Sequence, residues 1–257
     1  MKPLLIVCAL TVAAAAPSES QPVLGQATAD RNRQEALQHY RLGQDAMRNE
    51  HFDIAEKEFQ KSAALDPTLE LAPYGLGQVY MGTKRFRMAI VAFTKSREVF
   101  QANAVINAGD EIAQQRRLND YIKELEDQQA VYSQPGHTAS SPTARNYLTT
   151  LGNQIASMKA AKMRTVNGGP EPVPAWLSLA LGSAYFRSDG MPDAEREYLA
   201  AIKADPKLGE AHNNLAVVYM LTQRYAEANS EIKAAEKSGF RVNPQLKEDL
   251  KKASARN

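Results

Sequence analysis

Residues 36–69 and 70–103 of this chain repeat one another with a period of 34, and so do residues 175–208 and 209–242. The first stretch carries Leu42-Gly43, then Ala55, Phe59, Ala63 and Pro67. The second carries Leu76-Gly77, Tyr80, Ala89 and Phe93. The third carries Leu181-Gly182, Tyr185, Ala194, Tyr198, Ala201 and Pro206, and the fourth Leu215-Ala216, Tyr219, Ala228, Ile232 and Ala235. A period of this length fits a helix–turn–helix unit that cannot bury its apolar face alone and stacks on a neighbour to do so. Gly43, Gly77 and Gly182 fall where two helices cross too closely for a Cβ. Ala55, Ala89, Ala194 and Ala228 do the same on the second helix. Aromatic side chains fill the space beside these approaches. Pro67 and Pro206 stop the second helix, because proline lacks an N–H and disfavours helical geometry in the residue before it. Short polar breaks at 49–52, 82–86, 188–191 and 222–225 separate the helices within each unit.

The pattern of a small residue after Leu, an aromatic three further on, then a small and a large residue four apart resembles the tetratricopeptide repeat family. The stretch Asn213-Asn214-Leu215-Ala216 and the tail from Gly239 to Pro244 resemble exported bacterial members of no assigned activity. The resemblance covers 36–103 and 175–242. It implies an all-α, right-handed superhelix of antiparallel helix pairs whose first helices line a concave face. Side chains on that face stand at the second, fifth, ninth, twelfth and thirteenth positions of each repeat. Here they are Leu37, Tyr40, Gln44, Met47 and Arg48; Leu71, Tyr74, Gln78 and Met81; Trp176, Leu179, Ser183, Phe186 and Arg187; and Glu210, Asn213, Val217 and Met220. The face is aromatic, thioether and amide, which suits an extended or helical peptide with apolar anchors. The residues expected to bind it are Tyr40, Gln44, Arg48, Tyr74, Gln78, Met81, Trp176, Leu179, Phe186, Arg187, Asn213, Asn214 and Val217. Trp176 and Phe186 are the large aromatic anchors, with packing inside the chain as their alternative role. One subtype of the family grips a terminal carboxylate with basic residues on successive first helices. Tyr40 and Tyr74 stand where those cations would be needed, so this chain departs from that subtype.

Between the two pairs the repeat fades. Residues 104–174 read as a divergent helical pair with linkers. The first helix, 107–132, has an apolar stripe of Ile112, Leu118, Tyr121, Ile122, Leu125 and Tyr132 opposite a mixed-charge face. A turn-rich stretch, 133–143, leads to a second helix over 144–165, and 166–174 forms another break. The two helices either lie against each other and bridge the repeat pairs, or project as a hairpin. After the fourth repeat, Asn243 caps a last helix with Pro244 in its first turn, and this helix over 243–254 shields the end of the stack.

No constellation for catalysis or cofactor binding stands out. His39, His51, His137 and His212 are scattered, with no metal-ligand spacing, and read as surface or groove residues. Gly75 and Gly77 lie inside a repeat helix and so mark packing, not a phosphate loop. Glu56/Glu58 and Glu195/Glu197, two apart on a helix, point in different directions. The chain is therefore expected to be no enzyme and to hold no cofactor or metal. A formal net charge of +2, from 31 basic and 29 acidic residues, gives no field to attract nucleic acid.

Leu4 to Ala16 is apolar or small apart from Thr11, and Ala14-Ala15-Ala16 offers a cleavage site. This reads as a signal peptide over 1–16, with cleavage as late as 21, and too short for a membrane span. Residues 17–32 read as a flexible segment leading into the repeats. Cys8, the sole cysteine, lies inside the leader, with too little apolar sequence ahead of it for a lipid-bearing cysteine. The expectation is a non-catalytic protein- or peptide-binding adaptor, periplasmic or secreted, with no transmembrane helix in its mature form. A self-associating structural component and an accessory subunit of an envelope enzyme or secretion complex remain open beside it.

Overall fold

The structure, a computed structural model, describes residues 21–106, 111–134, 173–254 and parts of 148–159. Residues 1–20, where the signal peptide is expected, lie outside the described residues, as do 135–147 and 160–172. The helices are α1 (Gln21–Arg48), α2 (Phe52–Leu65), α3 (Leu71–Gly82), α4 (Phe86–Ile106) and α5 (Glu111–Tyr132). After the central region come α6 (Ala175–Arg187), α7 (Met191–Ala204), α8 (Gly209–Leu221), α9 (Tyr225–Lys237) and α10 (Pro244–Ser254). The described residues between 148 and 159 are helical as well, and no strand occurs among the described residues.

The turn inside each pair is built the same way four times. Glu50, Lys84, Asp189 and Gln223, each 34 residues from its counterpart within a pair, adopt positive φ of 58°, 59°, 64° and 62°. The next residue's N–H then reaches back five residues: His51 to Ala46, Arg85 to Tyr80, Gly190 to Tyr185 and Arg224 to Tyr219. This left-handed C-terminal cap satisfies carbonyls the helix leaves over and reverses the chain. The reversal between pairs is built by Asp66 and Asp205, whose carboxylates accept the N–H groups of Thr68 and Lys207 around the following proline. Repeat two lacks that proline, having Gln101 in its place, and α4 runs on to Ile106.

Within each pair an aromatic ring on the second helix lies against a missing Cβ on the first. A Cβ on Gly43 or Gly75 would stand 2.6 or 2.5 Å from the ring of Phe59, so one phenyl is held between two glycines of successive repeats. Gly77 meets Phe93 at 2.3 Å and Gly182 meets Tyr198 at 2.6 Å in the same sense. The fourth repeat uses Ala216 with the smaller Ile232, both buried. A second recurring device latches neighbouring repeats. Arg85 lies 4.5 Å over the Tyr80 ring and donates to Glu56 at 2.6 Å. Arg224 lies 4.1 Å over Tyr219 and donates to Glu195 at 2.7 Å.

The two pairs stack directly, because α6 packs on α4 in the way α3 packs on α2 and α8 on α7. The second and third repeats are therefore in direct contact, without a central helix between them. The central helices do lie against each other, with Lys159 Nζ 2.6 Å from Glu126. They also fold back onto the array, where Leu118, Tyr121, Ile122 and Met158 join the apolar cluster that contains Tyr40, Phe59, Phe93 and Trp176.

Two further expectations change. The segment 17–32, read as flexible, is helical from Gln21. Helix propensity does not explain this; the anchoring of Arg33 to Asp66 and Asp120 at 3.1 Å each ties the helix down, with a weak, exposed Arg31–Glu35 pair one turn apart beside it. His212, read as a surface or groove residue, is buried, and His39 is half-buried. Each bonds a glutamate on the second helix of its own repeat at 2.6 Å, His212 to Glu231 and His39 to Glu58. His51 is exposed, and His137 lies outside the described residues. At the C-terminus Asn243 accepts the N–H of Gln245 at 2.9 Å, capping α10, and Leu246 and Leu250 cover the last pair.

Candidate functional site

The expected binding residues divide into a covered set and an open set. Tyr40 is buried against Phe59, ring centroids 5.4 Å apart, and accepts a hydrogen bond from Gln44 at 2.6 Å. Arg48 is tied to Asp45 on its own helix. Trp176 stands edge-on to Tyr74 at 4.5 Å and beneath Tyr121 of α5 at 5.6 Å, and is only 7% exposed. Burial pushes the Tyr74 hydroxyl well above the ordinary phenol range, the Glu210 charge adds to this, and a bond with Gln78 works against it. Leu179 is buried in the C-terminal cluster. Tyr40, Trp176 and Leu179 thus belong to the packed interior, and the first part of the face carries α5.

The open set lies further along. Met81 of α3, Phe186 and Arg187 of α6, and Asn214 and Val217 of α8 line one cavity of about 310 Å³. Three consecutive first helices place them there: the twelfth position of the second repeat, the twelfth and thirteenth of the third and the sixth and ninth of the fourth line the same cavity. Asn213 lies beside the cavity and donates to Asn214 Oδ1 at 3.2 Å. Ser183, on the expected face, completes the α6 wall.

Two lining residues were not among the expected ones. Tyr198 reads in the sequence only as the ring packed on Gly182, yet its hydroxyl reaches Ser183 Oγ at 3.4 Å in the cavity wall. Burial raises that hydroxyl to about 12, and the Glu210 charge adds to it. Phe86 is the first residue of α4, read in the sequence as the end of the preceding turn. Its signal was available: Phe52, Phe86, Met191 and Tyr225 recur at one place in all four repeats.

The cavity is chemically two-sided. Met81, Phe86, Phe186 and Val217 form an apolar wall. Ser183, Asn214 and Arg187 supply polar groups. The Arg187 guanidinium lies 5.3 Å from the Phe86 ring centre and has no carboxylate partner among the described residues. Such a site takes an apolar side chain and presents a cation and an amide to the chain beside it. No group of three His, Cys, Asp or Glu side chains among the described residues is placed to hold a metal, and no described helix is long and apolar enough to cross a membrane.

Comparison with known proteins gives the following. Residues 179–239 match a tetratricopeptide repeat model. Among solved structures, the chain is similar to pilF of Pseudomonas aeruginosa, at 15% identity over 88% of this chain and 89% of that one, with a TM-score of 0.35. It is also similar to YrrB, described as a tetratricopeptide protein with an unusual peptide-binding site, at 14% identity, 88% and 97% coverage and a TM-score of 0.29. Against the Cut9–Hcn1 assembly of APC/C the identity is 17% and the TM-score 0.29, and this chain, with 90% of it aligned, spans 45% of the matched chain. The family model covers the third and fourth helix pairs, and the first and second share their period, their left-handed turns and their glycine–aromatic contacts. Residues 179–239 thus carry the tetratricopeptide repeat, and the helix pairs before them are built on the same plan.

Proposed function

We propose that this protein is a non-catalytic adaptor that binds a short peptide segment of another protein in the cavity between α3, α6 and α8. The observation that carries the reading is the juxtaposition of a 310 Å³ apolar-walled cavity with Arg187, a cation with no carboxylate partner among the described residues. The occupant is a segment with one aromatic or long aliphatic anchor and a carboxylate next to it. Phe186 and Phe86 hold the anchor, Arg187 the carboxylate, and Asn214 the backbone amide between them. With α5 seated on the first part of the face, the open site is short and accepts a few residues, not a long helix. The adaptor is proposed to act outside the cytoplasm. The support for this is the apolar leader pattern at 4–16 and the confinement of the sole cysteine to it.

Selection of a displayed heptapeptide library on the full chain tests the binding reading. Selected peptides should share an aromatic or aliphatic residue adjacent to Asp, Glu or a C-terminal carboxylate. Arg187→Glu and Phe186→Asp should each weaken them at least tenfold, about 1.4 kcal/mol, with the melting curve unchanged. No enrichment, or binding indifferent to both substitutions, overturns it.

A further inference from the structure

The first part of the concave face is occupied, and its occupant has the form of a ligand. Leu118, Tyr121, Ile122 and Leu125 of α5 stand at i, i+3, i+4 and i+7, the spacing with which an amphipathic helix fills an apolar groove. Leu118, Tyr121 and Ile122 are buried and Leu125 packs against the same cluster as Tyr74 and Trp176. Asp120, between the first two anchors, accepts a hydrogen bond from Arg33 of α1 at 3.1 Å. That bond, with Asp66 on the other side, fixes the guanidinium at the edge of the face. Because α4 and α6 stack without it, α5 is not needed to join the repeat pairs.

One atom in this contact is ill served. Trp176 Nε1 is buried beneath α5 and has no hydrogen-bond partner among the described residues. A buried indole N–H without an acceptor is a cost that a better-matched helix could remove. The Tyr121 ring contact and the Arg33–Asp120 ion pair are among the contacts that seat α5, and the indole donor is left over where it sits.

We infer that the face formed by α1, α3 and the first turn of α6 is a helix-docking surface, that α5 is its resident helix, and that an amphipathic helix of a partner protein takes its place. The partner helix carries apolar anchors at i, i+3, i+4 and i+7, with an aromatic at i+3. It has a carboxylate at i+2 for Arg33 and an acceptor for Trp176 Nε1. This surface is separate from the cavity beside Arg187, and the inference stands whether or not that cavity binds peptide.

The chain's single tryptophan makes the test direct, because Trp176 lies under the contact. In the full wild-type chain, hydrogen exchange should show α5 amides opening at least tenfold more often than those of α3 and α6. In a Leu118→Glu/Ile122→Glu variant, acrylamide quenching of Trp176 should rise about threefold, with helix content of the array kept. A synthetic peptide spanning residues 111–132 should reverse that rise saturably. The same peptide with Asp120→Arg should be at least tenfold weaker. Exchange of α5 in step with α3 and α6 overturns the inference, and it decides the matter even if the variant fails to fold. Failure of the wild-type-sequence peptide to protect Trp176 in a folded variant overturns it too.

Discussion

At the residue scale the array is set by pairs, not by single residues. Each repeat matches the size of the residue after Leu on its first helix to that of a ring or branched chain on its second. Gly43, Gly77 and Gly182 face Phe59, Phe93 and Tyr198, while the fourth repeat has Ala216 and Ile232, buried in one cluster, at the corresponding positions. Glycine inside a helix costs about 1 kcal/mol relative to alanine, so it persists where a methyl would cost more. At Gly77 the added Cβ would lie 2.3 Å from the buried Phe93 ring, far inside contact distance. Gly77→Ala is therefore expected to destabilise by about 1–2 kcal/mol despite the better helix propensity. Phe93→Ile alone opens a void of similar cost. The double variant copies the fourth repeat, and its loss should be smaller than the sum by at least about 0.5 kcal/mol. Urea unfolding of the four proteins of this cycle measures the coupling. Strict additivity would mean that the pairing of sizes is coincidental.

At the element scale, His212 ties α8 to α9 in a way that depends on protonation. Nδ1 faces Glu231 at 2.6 Å and Nε2 faces the Pro206 carbonyl at 3.2 Å. Both neighbours accept, and a neutral imidazole has only one N–H to donate. The bond with Glu231 raises the His212 pKa, burial opposes this, and the Pro206 carbonyl and the charges of Glu231 and Asp205 add to the rise. A folded-state pKa above the unfolded value of about 6.5 stabilises fully below that pH, and the gain is lost as pH rises through the folded pKa. The C-terminal pair should be more stable at pH 6 than at pH 9. His212→Gln should cost about 1.5 kcal/mol at pH 6 and much less at pH 9. Equal losses at both, read by chemical unfolding, would rule out the protonated ring as the source. The same elements show what could be read from the chain. The repeat helices were legible because Leu-Gly, the aromatic and the alanines each report a local crossing distance. The start of α1 at Gln21 was not, since 21–32 contains Pro22, Gly25 and Asn32 and its tie is Arg33 to residues 66 and 120. The stripe on α5 was visible as a stripe, but periodicity says only that a face is buried, not against what. Phe86 and Tyr198 were missed because each already had a role, in a turn and against a glycine, and a residue with one structural role can still line a cavity.

At the scale of the whole molecule, the weakest joint should be the one the repeat pattern does not build. Within each pair, an arginine latches across repeats over a tyrosine: Arg85 to Glu56 over Tyr80, and Arg224 to Glu195 over Tyr219. At the junction of the pairs the corresponding places hold Gly190 and Ile90, so the latch is absent. Arg97 of α4 instead donates to both carboxylate oxygens of Glu197 on α7 at 3.0 Å. Glu197 is buried, its side chain 4% exposed, with Arg196 as a more distant second partner at 3.5 Å. The stability of a stacked array is close to a sum of repeat and interface terms, so one weakened interface decides whether it unfolds as a unit. Arg97→Ala leaves a buried carboxylate short of its main partner, which typically costs about 3–5 kcal/mol. That loss falls on the α4–α6–α7 junction and not on either pair. The expected result is a denaturation curve that splits in two, with the pair containing the His212–Glu231 contact as one separate step. Replacing both partners, Arg97→Met with Glu197→Leu, removes the stranded charge and should restore a single transition, since an apolar pair can fill the same space. A single transition merely shifted to lower denaturant in Arg97→Ala would show that α4–α6 packing alone couples the halves. In that case the ion pair would set the height of the interface energy without deciding whether the array breaks there.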